Sequence, residues 1–204
     1  AVVSDSSCNE VYLINLATGL GQTVSVGTKP LGVAVIPQGG LAVVANTGSN
    51  NVSLVDDLLG TVKATVSTET NPSGVAIDPV LGQIVVTATG ANNIDTLSVN
   101  STSTSTFTAT PVLRGPVPVA VDPVRHIAAV GNQVGNSISL VPLVTGTTLA
   151  LQTLSVFLPS AIVYDPVTTS FVVASSLSNQ ILLMNPATQQ ITPIRVGINP
   201  TSMA

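Results

Sequence analysis

The sequence predicts an all-β fold: a five-bladed β-propeller built from four-stranded antiparallel blades. Three observations predict it. Separate motifs recur along the 204 residues with one shared period. β-Branched residues suited to strands dominate, Val alone contributing 33. Sixteen Gly and fourteen Pro punctuate the chain as turns would.

The first motif is Pro, a small or apolar pair, then an apolar run. It reads Pro30-Leu-Gly-Val-Ala-Val, Pro72-Ser-Gly-Val-Ala-Ile and Pro116-Val-Pro-Val-Ala-Val, then Pro159-Ser-Ala-Ile-Val-Tyr and Pro200-Thr-Ser-Met-Ala. Its spacings are 42, 44, 43 and 41. Six residues on come Ile36-Pro37, Asp78-Pro79, Asp122-Pro123 and Asp165-Pro166. The third motif, Asn-x-Val/Ile, begins at Asn9, Asn50, Asn92, Asn136 and Asn179, with spacings of 41, 42, 44 and 43. Such a period, with four strands per unit, is the signature of propeller blades.

Each repeat yields four strands. Strand one is expected at Leu31–Ile36, Ser73–Asp78, Val117–Asp122, Ser160–Asp165 and Pro200–Ala204. Strand two is expected at Ala1–Ser4, Leu41–Asn46, Gln83–Ala88, His126–Gly131 and Ser170–Ser175. Strand three follows the Asn motif at Glu10–Asn15, Asn51–Asp56, Asn93–Ser98, Ser137–Pro142 and Gln180–Asn185. Strand four is the most variable: Gln22–Val26, Thr61–Val66, about Ser105–Leu113, Leu149–Val156 and Gln190–Val196.

Sheets stacked face to face are covered on both sides, so inner strands should read as continuous apolar runs. Val33-Ala-Val35, Ala42-Val-Val44, Ile84-Val-Val86 and Phe171-Val-Val173 do so. The chain opens in strand two and stops in strand one. The expectation is therefore one domain over 1–204, its ring closed by Pro200–Ala204 pairing beside Ala1–Ser4.

The segment Leu41-Ala-Val-Val-Ala-Asn-Thr-Gly-Ser-Asn-Asn-Val-Ser-Leu-Val55 resembles the YVTN-type propeller repeat, related to NHL repeats. Cys8-Asn-Glu-Val-Tyr-Leu-Ile-Asn-Leu-Ala-Thr-Gly19 resembles that repeat's third strand and following turn. The resemblance runs the length of the chain. It implies a non-catalytic module of an extracellular, cell-surface or periplasmic protein.

Charge narrows the function classes. Five Lys/Arg face nine Asp/Glu, so a nucleic-acid partner is not expected. Residues 127–164 carry no Asp, Glu, Lys or Arg, yet polar residues, Gly and Pro interrupt them every few positions. No apolar run approaches the roughly 20 residues of a spanning helix, and membrane insertion is not expected. The single cysteine, Cys8, cannot form an internal disulfide.

Few groups suggest catalysis. His126, the only histidine, falls in a turn beside Arg125. Asp78, Asp122 and Asp165 each precede Pro, as turn-initiating Asp does. Asp5-Ser-Ser-Cys-Asn-Glu10 alternates oxygen ligands but lacks the Gly and distal Glu of a full calcium loop. No metal or cofactor is expected. Asn51-Val-Ser and Asn100-Ser-Thr are glycosylation sequons.

Binding is the expected role. Asn9, Asn50, Asn92, Asn136 and Asn179 fall once per blade on the loops between strands two and three. Asn there suits a left-handed turn and can also meet sugar hydroxyls or a peptide. The loops entering strand one share that end and add Lys29, Glu69 and Arg114. The expected function is a non-enzymatic, monomeric binding or scaffold module for a protein, peptide or glycan. The alternative is a propeller lactonase or lyase with a central-channel site.

Overall fold

The computed structural model describes residues 1–36, 39–100, 107–144 and 152–203. Every regular element among them is a β-strand, and every paired strand is antiparallel to its neighbour. The chain forms two compact units, Ala1–Thr110 and Pro111–Ala204.

The first unit holds three sheets. β1 (Val2–Asp5), β2 (Glu10–Ile14) and β3 (Gly21–Ser25) make a three-stranded sheet. β4 (Pro30–Ile36), β5 (Leu41–Asn46), β6 (Asn51–Asp56) and β7 (Thr61–Ser67) make the second. β8 (Pro72–Asp78), β9 (Gln83–Ala88), β10 (Asn93–Ser98) and β11 (Thr108–Pro111) make the third, whose last residue begins the second unit.

The second unit holds two more sheets. The fourth is β12 (Pro116–Asp122), β13 (Ile127–Asn132), β14 (Ser137–Pro142) and β15 (Gln152–Ser155). The fifth is β16 (Pro159–Asp165), β17 (Ser170–Ser175), β18 (Gln180–Met184) and β19 (Ile191–Arg195). Strands pair in chain order throughout, so each sheet is a meander.

Most expected strands form within a residue or two of the positions read from the sequence. The segment Pro200–Ala204 differs. Pro200–Met203 form no strand, Ala204 lies outside the described residues, and the first sheet has three strands rather than four. Its motif keeps Pro and Ala, but Met203 stands where the other copies carry the β-branched Val33, Val75, Val119 and Ile162. The early parts of the expected strands at Ser105–Leu113 and Leu149–Val156 also fall outside the described residues.

The repeated prolines have a geometric cause. Register shifts follow Pro30, Pro72, Pro116 and Pro159 at the start of each first strand. Proline lacks the N–H a ladder needs, and a bulge at the strand start tolerates that loss. Two residues on, Gly32 is packed so closely that an added Cβ would collide with the Ser73 carbonyl oxygen.

Inner strands serve two sheet faces at once. All six residues of β5 are buried. Val43 and Ala45 join Leu54 and Val66 against Ile84 and Val86 of the third sheet. Ala42 and Val44 face the other way, clustering with Val11, Leu13 and Val24 of the first sheet. In the second unit, Phe171, Val173 and Met184 of the fifth sheet pack with Ile127, Ile138 and Leu140 of the fourth. The outer strand β7 instead buries only Ala64 and Val66, with the exposed Thr65 between them. Scarce charge follows from this architecture, because doubly covered strands have no wet face.

Candidate functional site

Each sheet has a loop end and a turn end. The loop end carries the connections between second and third strands and those leading to the next sheet. All the Asn residues singled out from the sequence fall there, in left-handed backbone: Asn9, Asn50, Asn92, Asn136 and Asn179 have φ of 59°, 52°, 59°, 48° and 54°. Asn tolerates this region better than other residues with a Cβ.

Their side chains build a recurring clasp. Asn9 Oδ1 accepts the backbone N–H of Lys29 at 2.9 Å, and Asn50 Oδ1 accepts that of Asn71 at 2.9 Å. Asn136 Oδ1 accepts the N–H of Leu158 at 3.0 Å, and Asn179 Oδ1 that of Asn199 at 2.9 Å. The donating residues are left-handed as well, with φ between 43° and 55°. The same Asn carbonyls accept Val26, Thr68, Val156 and Val196 N–H at 3.0–3.1 Å. Two left-handed residues thus lock each strand-three loop to the connection leaving the sheet. Asn92 has the same backbone conformation and is also engaged.

A second polar layer lies beneath. Asn46 Nδ2 donates to Asn51 Oδ1 at 2.8 Å and to Ser53 Oγ at 2.9 Å. Asn132 Nδ2 repeats this with Ser137 Oγ at 3.1 Å and Ser139 Oγ at 2.9 Å. The Asn51 amide also donates to the Ser49 carbonyl at 3.2 Å, so this sequon asparagine is committed to the fold.

The third sheet departs from the pattern, and sequence reasoning missed it. Ala88 stands where the second and fourth sheets have Asn46 and Asn132, and Asp95 stands where they have Ser53 and Ser139. Asp95 is fully buried. Its Oδ2 accepts the Glu69 N–H at 2.7 Å, and its Oδ1 has no partner. Burial pushes the carboxyl up to about 6; the Glu69 N–H opposes that shift and the Glu69 charge adds to it. The signal was present as a paired Asn-to-Ala and Ser-to-Asp exchange at aligned positions.

The charged candidates are spread through the loop ends. Lys29 and Arg114 are exposed, and Glu69 is half-buried. Lys29 gives its N–H to Asn9, Glu69 gives its N–H to Asp95, and the Arg114 carbonyl accepts the N–H of Gly135 at 2.9 Å.

The turn aspartates do structural work. Asp78 Oδ1 accepts the N–H groups of Val80 and Leu81, and Asp122 Oδ1 those of Val124 and Arg125. Arg125 also pairs with Asp122 Oδ2 at 3.0 Å. Asp165 accepts from Val167 N and the Thr168 hydroxyl, which hold its carboxyl below the usual range. His126 takes φ 56° just before β13, where Gly40 and Gly82 precede β5 and β9.

Asp5 Oδ1 accepts the Ser7 hydroxyl and the N–H groups of Ser7 and Cys8, which lowers its pKa, the Ser7 hydroxyl contributing most. Ligand-type atoms of Asp5, Cys8 and Glu10 lie within 4.8 Å of one another.

No family model matches the sequence, and no curated protein sequence matches it. Solved structures do. A virginiamycin B lyase from Staphylococcus aureus superposes with a TM-score of 0.77 at 15% identity, covering 97% of this chain and 67% of the lyase. A nidogen/laminin complex gives 0.74 at 14% identity, over 95% of this chain and 78% of that one. The dihydro-heme d1 dehydrogenase NirN, in complex with DHE, gives 0.75 at 17% identity, over 97% and 44%. The chain thus spans about two thirds of the lyase's length and under half of the dehydrogenase's.

At these identities the likeness is one of fold, and it is that of β-propeller repeat proteins. It corrects one expectation. Its few ionisable groups predict that the chain is not an enzyme, but solved structures sharing its fold include a lyase and a dehydrogenase. Among the described residues no helix is long and apolar enough to cross a membrane.

Proposed function

We propose that this chain works through the loop ends of its blades, holding a protein, peptide or glycan ligand there. The clasp made by Asn9, Asn50, Asn136 and Asn179 carries this reading. Loops fixed by side-chain hydrogen bonds form a rigid platform, on which recognition costs little ordering entropy. The exposed Lys29 and Arg114 supply cationic contacts. Glycan and peptide arrays probed with the labelled chain test it. Specific signals should fall at least several-fold for Lys29→Ala or Arg114→Ala in their own units. Signals unchanged in both variants would refute a loop-end site.

The likeness to the lyase favours a second reading, in which the bound ligand is also turned over at that end. Asp95, at about 6, sits in the range suited to proton transfer near neutral pH. Incubation with a streptogramin B compound, followed by liquid chromatography–mass spectrometry, tests this chemistry. Loss of substrate that Asp95→Asn abolishes supports it. Intact substrate beside an active lyase control removes it for that substrate class.

The resemblance to YVTN-type repeats supports a setting outside the cytoplasm, at the cell surface or in the periplasm. Fractionation of the source cells with an antibody to the chain tests that placement.

A further inference from the structure

The turn ends of the first unit carry side chains that turn chemistry does not require. Asn15 Oδ1 accepts the N–H groups of Ala17 and Thr18 at 2.9 and 3.3 Å. Asn185 Oδ1 accepts those of Ala187 and Thr188 at 2.9 and 3.2 Å, so the two turns are built alike. Yet one reads Asn15-Leu-Ala-Thr-Gly-Leu20 and the other Asn185-Pro-Ala-Thr-Gln-Gln190. The turn forms equally well without leucine.

Asp56 Oδ1 organises a third such turn through the N–H groups of Leu58 and Leu59. Leu16, Leu20, Leu58 and Leu59 are 80%, 74%, 82% and 72% exposed. Single exposed leucines are ordinary, but these four sit on two turns, one of the first sheet and one of the second, whose Leu20 and Leu58 border the same cleft, and they form a patch of the kind that marks interaction surfaces.

A cleft of about 540 Å³ opens beside them, within the same unit. Leu20 and Leu58 rim it, and Leu13, Ile14 and Val35 line it. Asp57 forms a polar wall, and its Oδ1 is buried without a hydrogen-bond partner. The Ala1 nitrogen also borders the cleft but is spent on the Ile14 carbonyl at 2.7 Å. Among the described residues no Lys, Arg or His lines it.

We propose that this cleft docks a peptide segment of a partner protein that sets an aliphatic or aromatic side chain beside a Lys or Arg. The apolar side chain enters between Leu13, Val35 and the two rim leucines. The cation meets Asp57, whose buried Oδ1 has no hydrogen-bond partner in the free protein. Asn15 and Asp56 hold the rim turns in place, so the leucines are preorganised anchors. The site lies at the opposite end of the blades from the loop platform and stands independently of it.

Titration of the ¹⁵N-labelled chain with acetylated dipeptide amides tests the proposal. Phe-Lys should shift the amides of Leu13, Leu20 and Leu58 saturably, and Phe-Glu should bind at least about five-fold more weakly. Leu20→Gln and Leu58→Gln, which copy the chemistry of Gln190, should each weaken Phe-Lys several-fold without changing the melting temperature. Asp57→Asn should erase the preference for Lys over Glu while keeping the apolar contact. No saturable shift at those amides, or equal binding of the two dipeptides, overturns the proposal. Leu58-dependent binding to phosphatidylglycerol vesicles without dipeptide binding also overturns it, assigning the patch to lipid.

Discussion

Asp95 holds the Glu69 backbone N–H with one carboxyl oxygen at 2.7 Å while its other oxygen is buried with no partner. Its pKa is raised from 3.8 to about 6, so the folded state binds this proton more tightly than the unfolded state. The stabilisation is fully present below the unfolded pKa and is lost as pH rises through about 6. At about 1.4 kcal/mol per pK unit, the loss is on the order of 3 kcal/mol. Asp95→Asn keeps an acceptor for Glu69 and removes the charge. Urea unfolding from pH 4 to 8 should show wild type losing stability relative to this variant across pH 4–7. Parallel profiles would contradict the assignment.

The clasp predicts a separable pair of effects at Asn50. Asn50→Ala loses a hydrogen bond of about 1 kcal/mol and places Ala in left-handed backbone for roughly another 1 kcal/mol. Asn50→Gly loses only the first. Denaturant midpoints should therefore rank wild type above Gly above Ala. An equal loss in both variants would show that backbone conformation plays no part.

Gly32 should resist any side chain. A Cβ there would collide with the Ser73 carbonyl oxygen, whereas at Gly197 none of the described residues has an atom within 4 Å. Gly32→Ala is expected to cost more than about 2 kcal/mol, and Gly197→Ala to stay within about 0.5 kcal/mol. Thermal melts of the two variants compare them directly.

Phe171 is fully buried and meets Tyr164 edge-on, with ring centroids 5.4 Å apart. Phe171→Ala should cost about 3–5 kcal/mol by opening a cavity in the second unit. Phe171→Leu should cost distinctly less. Chemical denaturation followed by circular dichroism measures both.

The repeat made most of the fold legible. Pro30, Pro72, Pro116 and Pro159 begin first strands, and the Asn positions all take the same left-handed turn. Periodic motifs report local geometry, which every repeat must satisfy for itself. The segment Pro200–Met203 shows where that logic ends: a motif can be present while its described residues form no strand, because pairing depends on a neighbour outside the motif. The site was less readable. The Asn side chains were expected as ligand contacts, and four of them spend their oxygens on the backbone. Asp95 escaped attention because a Ser-to-Asp exchange gains meaning only once Ala88, on the neighbouring strand, is seen in the place of an Asn donor. The exposed leucines read as ordinary apolar content, since hydropathy does not tell a turn tip from a core.

In β5, neighbouring residues belong to different interfaces: Val43 and Ala45 to one, Ala42 and Val44 to the other. Deleting a single residue there would invert the strand downstream and mismatch two partners together. Adding or removing a whole repeat would leave every remaining alternation intact. A lineage of such chains should therefore tolerate length changes in turns and in entire units but not in between, so that its members differ by counting rather than by trimming.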